Sequence, residues 1–163
     1  MRNILVIKLR YIGDVLLATP VLRALRDRFP DARLAMLVNR GTEDILKWNP
    51  DVNEVLVVDR GALTAQFRFL GELRRRRFDC VIDLTDGDRS AILARLSSAT
   101  VRVGFNEERR WRGLLYTSVV QATHLAHRVE RDFEAVRVLG IEPKAGPLVL
   151  RTSPQDDEEA AKL

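Results

Sequence analysis

The chain has 163 residues, of which 46% are apolar and 31% are charged, and its formal net charge is +4. This balance excludes a disordered chain and a collagen-like repeat, because enough apolar residues are present to form a core. The single cysteine, Cys80, excludes an intramolecular disulfide, and we expect it to be a buried residue of a cytoplasmic protein. No apolar run approaches the ~20 residues of a membrane-spanning helix. We expect no signal peptide, because the first residues lead directly into a strand-like run.

Apolar runs alternate along the chain with segments of helical periodicity. The runs predict strands at 4–7, 34–38, 55–58, 80–82 and 101–103. The periodic segments predict helices at 14–28, 42–48, 63–77, 88–97 and 124–139, with Gly140 as the C-terminal cap of the last. Residues 105–123 are predicted to be irregular. Strands that alternate with helices predict an α/β fold, a Rossmann-like doubly wound parallel sheet.

The last residues predict a change of domain. Residues 148–150 are a candidate final strand. Ser153 and Pro154 then suit the cap and first position of a new helix, and residues 156–159 place acidic side chains in its first turn. We therefore expect a domain over 1–150. Residues 151–163 are predicted to form a linker and the start of a truncated second domain.

The loop after the first predicted strand is the first candidate ligand site, because open α/β sheets bind ligands beyond the carboxyl ends of their strands. Gly13 permits a close turn there, and Asp14 stands at the start of the predicted helix. Asp14 is either an N-cap or a carboxylate that faces a ligand. The loop matches neither a dinucleotide fingerprint nor a Walker A sequence, so no nucleotide cofactor is expected in this half.

The loop after the fourth predicted strand contains Asp83, Thr85, Asp86 and Asp88. These side chains suit helix capping and the binding of sugar hydroxyls. A metal site is disfavoured because no histidine accompanies the carboxylates.

Two groups of arginines stand out. Residues 74–77 are four consecutive arginines at a predicted helix end, where they suit the helix dipole or a solvated face. Arg109, Arg110 and Arg112 surround Trp111 in the irregular stretch, where they suit an anionic glycan, a phosphate or a lipid headgroup. Nonspecific nucleic-acid binding is the alternative, but no recognised nucleic-acid-binding motif supports it.

The two histidines, His124 and His127, lie at the start of the predicted helix 124–139. His127 shares a helix surface with Glu130, three residues further on. The two side chains are either a pair that faces the site or part of an ordinary polar first turn.

Residues 4–22 resemble the N-terminal signature of the lipopolysaccharide core heptosyltransferases, a family of GT-B glycosyltransferases. The similarity continues at 29–32, 49–50, 78–86 and 127–130. The Leu-Thr-Asp sequence at 84–86 is most similar to the third core heptosyltransferase subgroup. The resemblance covers the whole chain, but only the N-terminal half of a family member.

This resemblance implies that Asp14 is the general base of an inverting transfer of heptose. It implies ADP-heptose as donor, bound by a missing C-terminal domain, and the phosphorylated inner-core oligosaccharide on lipid A as acceptor. The isolated chain is then expected to be inactive, without a metal or cofactor, and cytoplasmic or peripheral at the inner face of the inner membrane. The candidate acceptor-binding residues are Lys8, Arg10, Gly13, Thr85, Asp86, Arg109, Arg110, Arg112 and His127.

Three alternatives remain at this point. The first is another GT-B glycosyltransferase with a different sugar or acceptor. The second is a non-catalytic α/β module of receiver or flavodoxin type, which is disfavoured because Lys8, Leu9 and Arg10 follow the first strand. A receiver needs acidic residues there, and a flavodoxin needs a hydroxyl-rich loop. The third is a domain that binds membranes or anionic polymers through its arginines.

Overall fold

The computed structural model describes residues 1–59, 61, 63–121, 127–142, 146–152 and 156. Its strands are β1 (Asn3–Lys8), β2 (Arg33–Asn39), β3 (Glu54–Val58), β4 (Cys80–Asp83), β5 (Val101–Phe105) and β6 (Ser118–Val120). Its helices are α1 (Ile12–Leu17), α2 (Thr19–Arg28), α3 (Leu63–Arg75), α4 (Asp88–Leu96) and α5 (Arg128–Arg137). Two short 3₁₀ helices span Glu43–Leu46 and Trp111–Leu115.

The six strands form one sheet in the order β3-β2-β1-β4-β5-β6, and all five strand pairs are parallel. The predicted Rossmann-like α/β fold is therefore confirmed. Strand β1 lies at the centre, and residues 4–7 are completely buried, as expected for a parallel strand covered on both faces. From β1 the chain adds β2 and β3 on one side of the sheet, and it then returns to add β4, β5 and β6 on the other side. The strand order therefore reverses between β1 and β4. This reversal opens a crevice at the carboxyl ends of the strands, an edge called the crest below.

Alternate residues of the strands supply two cores, one on each face of the sheet. Ile4 and Val6 of β1 belong to the core that α2 and α5 cover. Leu5 and Ile7 belong to the core that Leu73 of α3 and residues of α4 cover. The sheet therefore has α1, α2 and α5 on one side and α3 and α4 on the other.

The predicted helix 14–28 is wrong in one respect, because it is divided at Ala18 into α1 and α2. Pro20 has no amide hydrogen to donate to the preceding turn. The hydroxyl of Thr19 donates instead to the carbonyl of Leu16, at 2.7 Å. This bond satisfies a carbonyl group at the end of α1, and α2 can therefore begin in a new direction.

Several other boundaries differ from the predictions. Residues 42–48 hold only a 3₁₀ turn, and residues 148–150 are irregular rather than a strand. The stretch 105–123 was predicted to be irregular but contains β6, whose three residues are too short to show alternation. Helix α5 spans 128–137, while residues 124–126 and the predicted helix start at 153–155 lie outside the described residues. Gly140 has the positive φ expected of a C-terminal cap.

Gly104 of β5 makes room for a buried tyrosine. A Cβ atom at this position would lie 2.3 Å from ring atoms of Tyr116. The hydroxyl of Tyr116 donates to Oδ2 of Asp83 at 2.7 Å, and that carboxylate is fully buried. The glycine thus permits a side-chain bond from Tyr116, which follows the second 3₁₀ helix, to the end of β4.

We expect Gly104→Ala to lower the free energy of unfolding by about 1–3 kcal/mol, because the tyrosine ring and its bond to Asp83 must shift. Gly71→Ala is the matched control, since Gly71 lies inside α3 with nothing near its Cβ position. That substitution is expected to stabilise the chain by about 0.5–1 kcal/mol through helix propensity. Urea denaturation measures the free energy of unfolding of both variants. An equal change in the two variants would contradict the steric role of Gly104.

Candidate functional site

The loop after β1 is held against the loop after β4 at the crest. The amide of Leu9 donates to Oγ1 of Thr85 at 2.8 Å. Nε of Arg10 donates to the carbonyl of Thr85 at 3.0 Å. From the other side, the amide of the Asn39 side chain donates to the carbonyl of Leu9 at 2.8 Å. The segment that leads into α1 is therefore anchored on both sides of the sheet reversal.

Asp14 lies at this anchored corner, but it is not an N-cap. It is the third residue of α1, whose N-cap is Tyr11, so the capping interpretation is wrong. The side chain of Asp14 is 15% exposed, and Nε of Arg128 lies 3.2 Å from its Oδ1. Its Oδ2 receives no hydrogen bond from any of the residues that the structure describes. One oxygen of the Asp14 carboxylate therefore lies against Arg128, and the other is available to a ligand near the crest.

The surroundings of Asp14 leave space for a ligand. Gly13 is helical rather than part of a close turn, and nothing lies within 4 Å of its Cβ position. Tyr11 and Ile12 just before it are 82% and 52% exposed. Backbone and side chains beside the carboxylate are thus open to solvent.

Lys8 is completely buried, so its predicted direct contact with a ligand is wrong. Its Nζ lies 2.5 Å from Oδ2 of Asp132 and donates to the carbonyl of Leu84 at 3.1 Å. Both charged side chains are 0% exposed. Burial lowers the pKa of Lys8 and raises that of Asp132, while each partner's charge opposes the shift. The pair joins the end of the central strand to α5.

Sequence reasoning missed Asp132. The available signal was its position within the apolar stripe of the last helix, next to Phe133 and one turn before Val136. A carboxylate at such a position needs a buried partner. The sequence alone does not show that Lys8 is that partner.

Asp86 lies between two arginines rather than facing a ligand freely. Its carboxylate is 2.9 Å from Nη2 of Arg112 and 3.1 Å from Nη2 of Arg131. The Arg131 guanidinium also stacks 3.9 Å from the ring centroid of Phe105. Arg112 is 2% exposed and also contacts Asp88, so its predicted role in binding a ligand is wrong. These groups form an internal network that fixes the loop after β4.

The acidic loop does not form a single cluster. Asp83 is buried, and it accepts bonds from the Tyr116 hydroxyl and from the amide of Thr85. Burial raises the pKa of Asp83, although these bonds oppose the shift. Asp88 is the first residue of α4 and Gly87 is its N-cap, so no side chain caps this helix. Within the part of the chain that is described, no group of three metal-binding side chains could hold an ion.

The other predicted binding residues differ in exposure. Thr85 is buried and positions the first loop, whereas Arg10 is exposed. Arg109 and Arg110 are exposed in the loop after β5, and Nη1 of Arg110 lies 3.9 Å from Asp88. His127 is the exposed N-cap residue of α5 and immediately precedes Arg128. His124 lies outside the described residues.

His127 and Glu130 are both exposed at the start of α5, and no ion pair joins these two described residues. Whether they face a ligand as a pair or form an ordinary polar first turn stays a prediction. None of the described helices is long and apolar enough to cross a bilayer.

We expect Asp132→Leu to lower the free energy of unfolding by about 3–5 kcal/mol, because Lys8 is left buried without its partner. Combining it with Lys8→Met should restore most of the loss, to within about 1–2 kcal/mol of the original chain, because an apolar pair replaces two buried charges. Urea denaturation of the two single variants and the double variant measures the coupling. If the double variant loses the sum of the free energies that the two single variants lose, Lys8 and Asp132 do not interact.

Comparisons with known proteins identify the family of the chain. The family model described as glycosyltransferase family 9 (heptosyltransferase) matches residues 66–162. The chain is 35% identical over 144 residues to lipopolysaccharide heptosyltransferase 3 of Escherichia coli (strain K12), covering 82% of this chain and 41% of that protein. It therefore spans less than half the length of this curated relative.

Solved structures show the same fold. The glycosyltransferase family 9 structure from Veillonella parvula DSM 2008 aligns with a TM-score of 0.85 at 22% identity, covering 99% of this chain and 48% of that one. E. coli heptosyltransferase WaaC with ADP-2-deoxy-2-fluoro heptose aligns with a TM-score of 0.78 at 24% identity, covering 90% and 51%. The resemblance seen in the sequence is confirmed: the chain belongs to glycosyltransferase family 9, the heptosyltransferase family.

Proposed function

We propose that this chain is the acceptor-binding domain of an inverting heptosyltransferase, which transfers heptose from ADP-heptose to the inner core of lipopolysaccharide. The observation that supports this most directly is Asp14, whose carboxylate has one oxygen against Arg128 and the other free of described donors. It stands beside the sheet reversal, where α/β folds bind ligands. The names of the curated relatives supply the substrate class.

In the proposed reaction, Oδ2 of Asp14 accepts the proton of an acceptor hydroxyl. The hydroxyl oxygen attacks the anomeric carbon of the donor and forms the new glycosidic bond. The bond between that carbon and the ADP oxygen breaks, ADP leaves with the electron pair, and the anomeric configuration inverts. Arg128 is a positioning residue, because it holds Oδ1 and so orients the carboxylate. This proton transfer requires that the acceptor hydroxyl lies within hydrogen-bond distance of Oδ2 in the bound complex.

The exposed basic residues of the crest suit an acceptor that bears phosphates and acidic sugars. Arg10, Arg109, Arg110 and His127 are the exposed members of the predicted binding set, together with Gly13. Arginine binds phosphate and carboxylate oxygens through paired hydrogen bonds. Buried members of the set act indirectly, by holding the loops in place.

The donor site belongs, in this proposal, to a second domain. The chain covers 41% of heptosyltransferase 3 and 33% of heptosyltransferase 2 from E. coli. Residues 1–150 then form the acceptor domain and 151–163 the linker and the start of the donor domain. The lipid-linked acceptor places the protein at the cytoplasmic face of the inner membrane as a peripheral protein.

NMR titration of the chain with two separate ligands tests the acceptor assignment. A delipidated, phosphorylated inner-core oligosaccharide is expected to shift the signals of Gly13, Asp14 and the Nε–H of Arg128 in a saturable manner. ADP-heptose is expected to cause little change. Strong binding of ADP-heptose alone would show that the two domains are assigned the wrong way round.

The general base is tested in a two-domain enzyme made by joining the chain to the remaining part of E. coli heptosyltransferase 3. Asp14→Asn is expected to lower kcat by about 10²–10⁴-fold with little change in the KM for acceptor, because the amide cannot accept the proton. Asp31→Asn, at an exposed position in the loop after α2, is the charge-matched control and should leave kcat unchanged.

The chain by itself should show no heptose transfer. Full activity of the Asp14→Asn enzyme would exclude Asp14 as the base. Transfer by the isolated chain would overturn the two-domain assignment.

A further inference from the structure

The loop that follows β5, residues 106–113, is held in one conformation by its own hydrogen bonds and is called the β5 loop below. The amide of Arg110 donates to Oδ1 of Asn106 at 3.0 Å, and the side-chain amide of Asn106 donates back to the carbonyl of Arg110 at 2.9 Å. The amide of Arg109, whose φ is 50°, donates to the carbonyl of Asn106 at 3.0 Å. A Cβ atom at Gly113 would lie 2.3 Å from Nδ2 of Asn106, so the glycine permits this closure. The β5 loop therefore has a fixed shape before any ligand binds.

The β5 loop is also attached to the residues around Asp14. Its buried Arg112 contacts Asp86 at 2.9 Å, and Arg131 of α5 contacts the same carboxylate at 3.1 Å. Arg128, which contacts Asp14, lies three residues before Arg131 in α5. The loop follows the carboxyl end of β5, so it lies at the crest. It is therefore positioned beside the proposed acceptor site.

The side chain of Trp111 is exposed on this loop. Trp111 begins the second 3₁₀ helix and is 51% exposed, although the next residue, Arg112, is buried. Leu114, three residues later and so on the same face of the 3₁₀ helix, is 87% exposed. Nζ of Lys47 lies 5.8 Å from the ring centroid of Trp48, whereas no cation of the described residues lies over the ring of Trp111. The indole therefore offers a flat, uncovered apolar surface at the crest.

We propose that Trp111 stacks on a sugar ring of the acceptor, while Arg109 binds an anionic substituent of the same oligosaccharide. One face of a pyranose ring consists of C–H bonds, which pack against the electron-rich face of an aromatic ring. Arg109 is exposed, and its guanidinium has no hydrogen bond or ion pair with the described residues. A guanidinium of this kind suits a phosphate or carboxylate group. The assignment rests on the proposed function, in which the acceptor is a phosphorylated oligosaccharide.

The charged residues around Trp111 favour a sugar over a protein surface as its partner. Glu108, Arg109 and Arg110 are all exposed, and Nη1 of Arg110 lies 3.4 Å from Glu108. A protein surface that covered the indole would also take these charges out of water, and the cores of protein interfaces are depleted of charged residues. The hydroxyl groups of a sugar can form hydrogen bonds with them while the C–H face covers the indole.

NMR detects the stacking directly, because the chain has only two tryptophans. A delipidated, phosphorylated inner-core oligosaccharide is expected to shift the indole Nε1–H signal of Trp111 in a saturable manner. Nuclear Overhauser effects are expected between the sugar C–H protons and this indole. Trp48 is the internal control, because it is 45% exposed in the connection between β2 and β3 and should not respond.

Two outcomes of this titration separate the stacking from the proposed function. Shifts at Gly13 and Asp14 without any change at Trp111 would overturn the stacking and leave the acceptor assignment in place. No response at any of these three residues would overturn both.

Substitution of Trp111 tests its contribution to affinity. Trp111→Ala is expected to raise the Kd for the oligosaccharide about tenfold in isothermal titration calorimetry. Trp111→Tyr should retain most of the affinity, because a second aromatic face replaces the first. Trp48→Ala is the matched control and should leave the Kd unchanged. Circular dichroism checks that the variants are folded, and a Trp111→Ala chain that binds as tightly as the original chain would overturn the stacking.

The anionic contact is tested with the same oligosaccharide after enzymatic removal of its phosphates. We expect the original chain to bind the phosphorylated form about tenfold more tightly than the dephosphorylated form. Arg109→Gln should remove most of this preference, whereas Trp111→Ala should weaken the binding of both forms by the same factor. Arg75→Gln, at an exposed position in the last turn of α3, is the charge-matched control and should keep the preference. An undiminished preference in Arg109→Gln would overturn the role of Arg109.

Discussion

The buried ion pair between Lys8 and Asp132 determines the arrangement of the crest. It joins the last residue of the central strand to a helix residue 124 positions later in the chain. Removing two charges from water costs free energy, and this cost is offset only by close geometry and further hydrogen bonds. The carbonyl of Leu84 supplies one such bond at the end of β4. One buried lysine therefore connects β1, the loop after β4 and α5.

The position of α5 then sets the neighbours of both crest loops. Arg128 lies one helical turn before Asp132 and reaches Asp14, while Arg131 reaches Asp86 and stacks on Phe105. Three side chains from a single helix thus fix the first loop, the fourth loop and the carboxylate of the proposed base. The charged side chains that pair with one another inside the chain hold the loops. The exposed charged side chains at the crest are available to a ligand.

Local pattern was enough to predict five of the six described strands, because a buried strand such as β1 is a continuous run of apolar residues. The roles of charged residues were less predictable. Lys8 follows four apolar residues at a strand end, which suits a ligand contact, and only the packing of α5 shows that it is buried. The sequence likewise suggests a ligand for Arg112, but its partners Asp86 and Asp88 come from the loop after β4 and from the start of α4. Such pairings depend on tertiary contacts that periodicity does not encode.

The most direct test of the acceptor site is a crystal structure of the chain with the phosphorylated inner-core oligosaccharide bound. We expect a sugar hydroxyl within about 2.6–3.2 Å of Oδ2 of Asp14. We also expect anionic groups of the oligosaccharide against Arg10 or Arg110. An oligosaccharide bound instead in the cavity between α3 and α4, which Phe69, Leu70 and Leu93 line, with no sugar hydroxyl near Asp14, would contradict the assignment of Asp14 as the base.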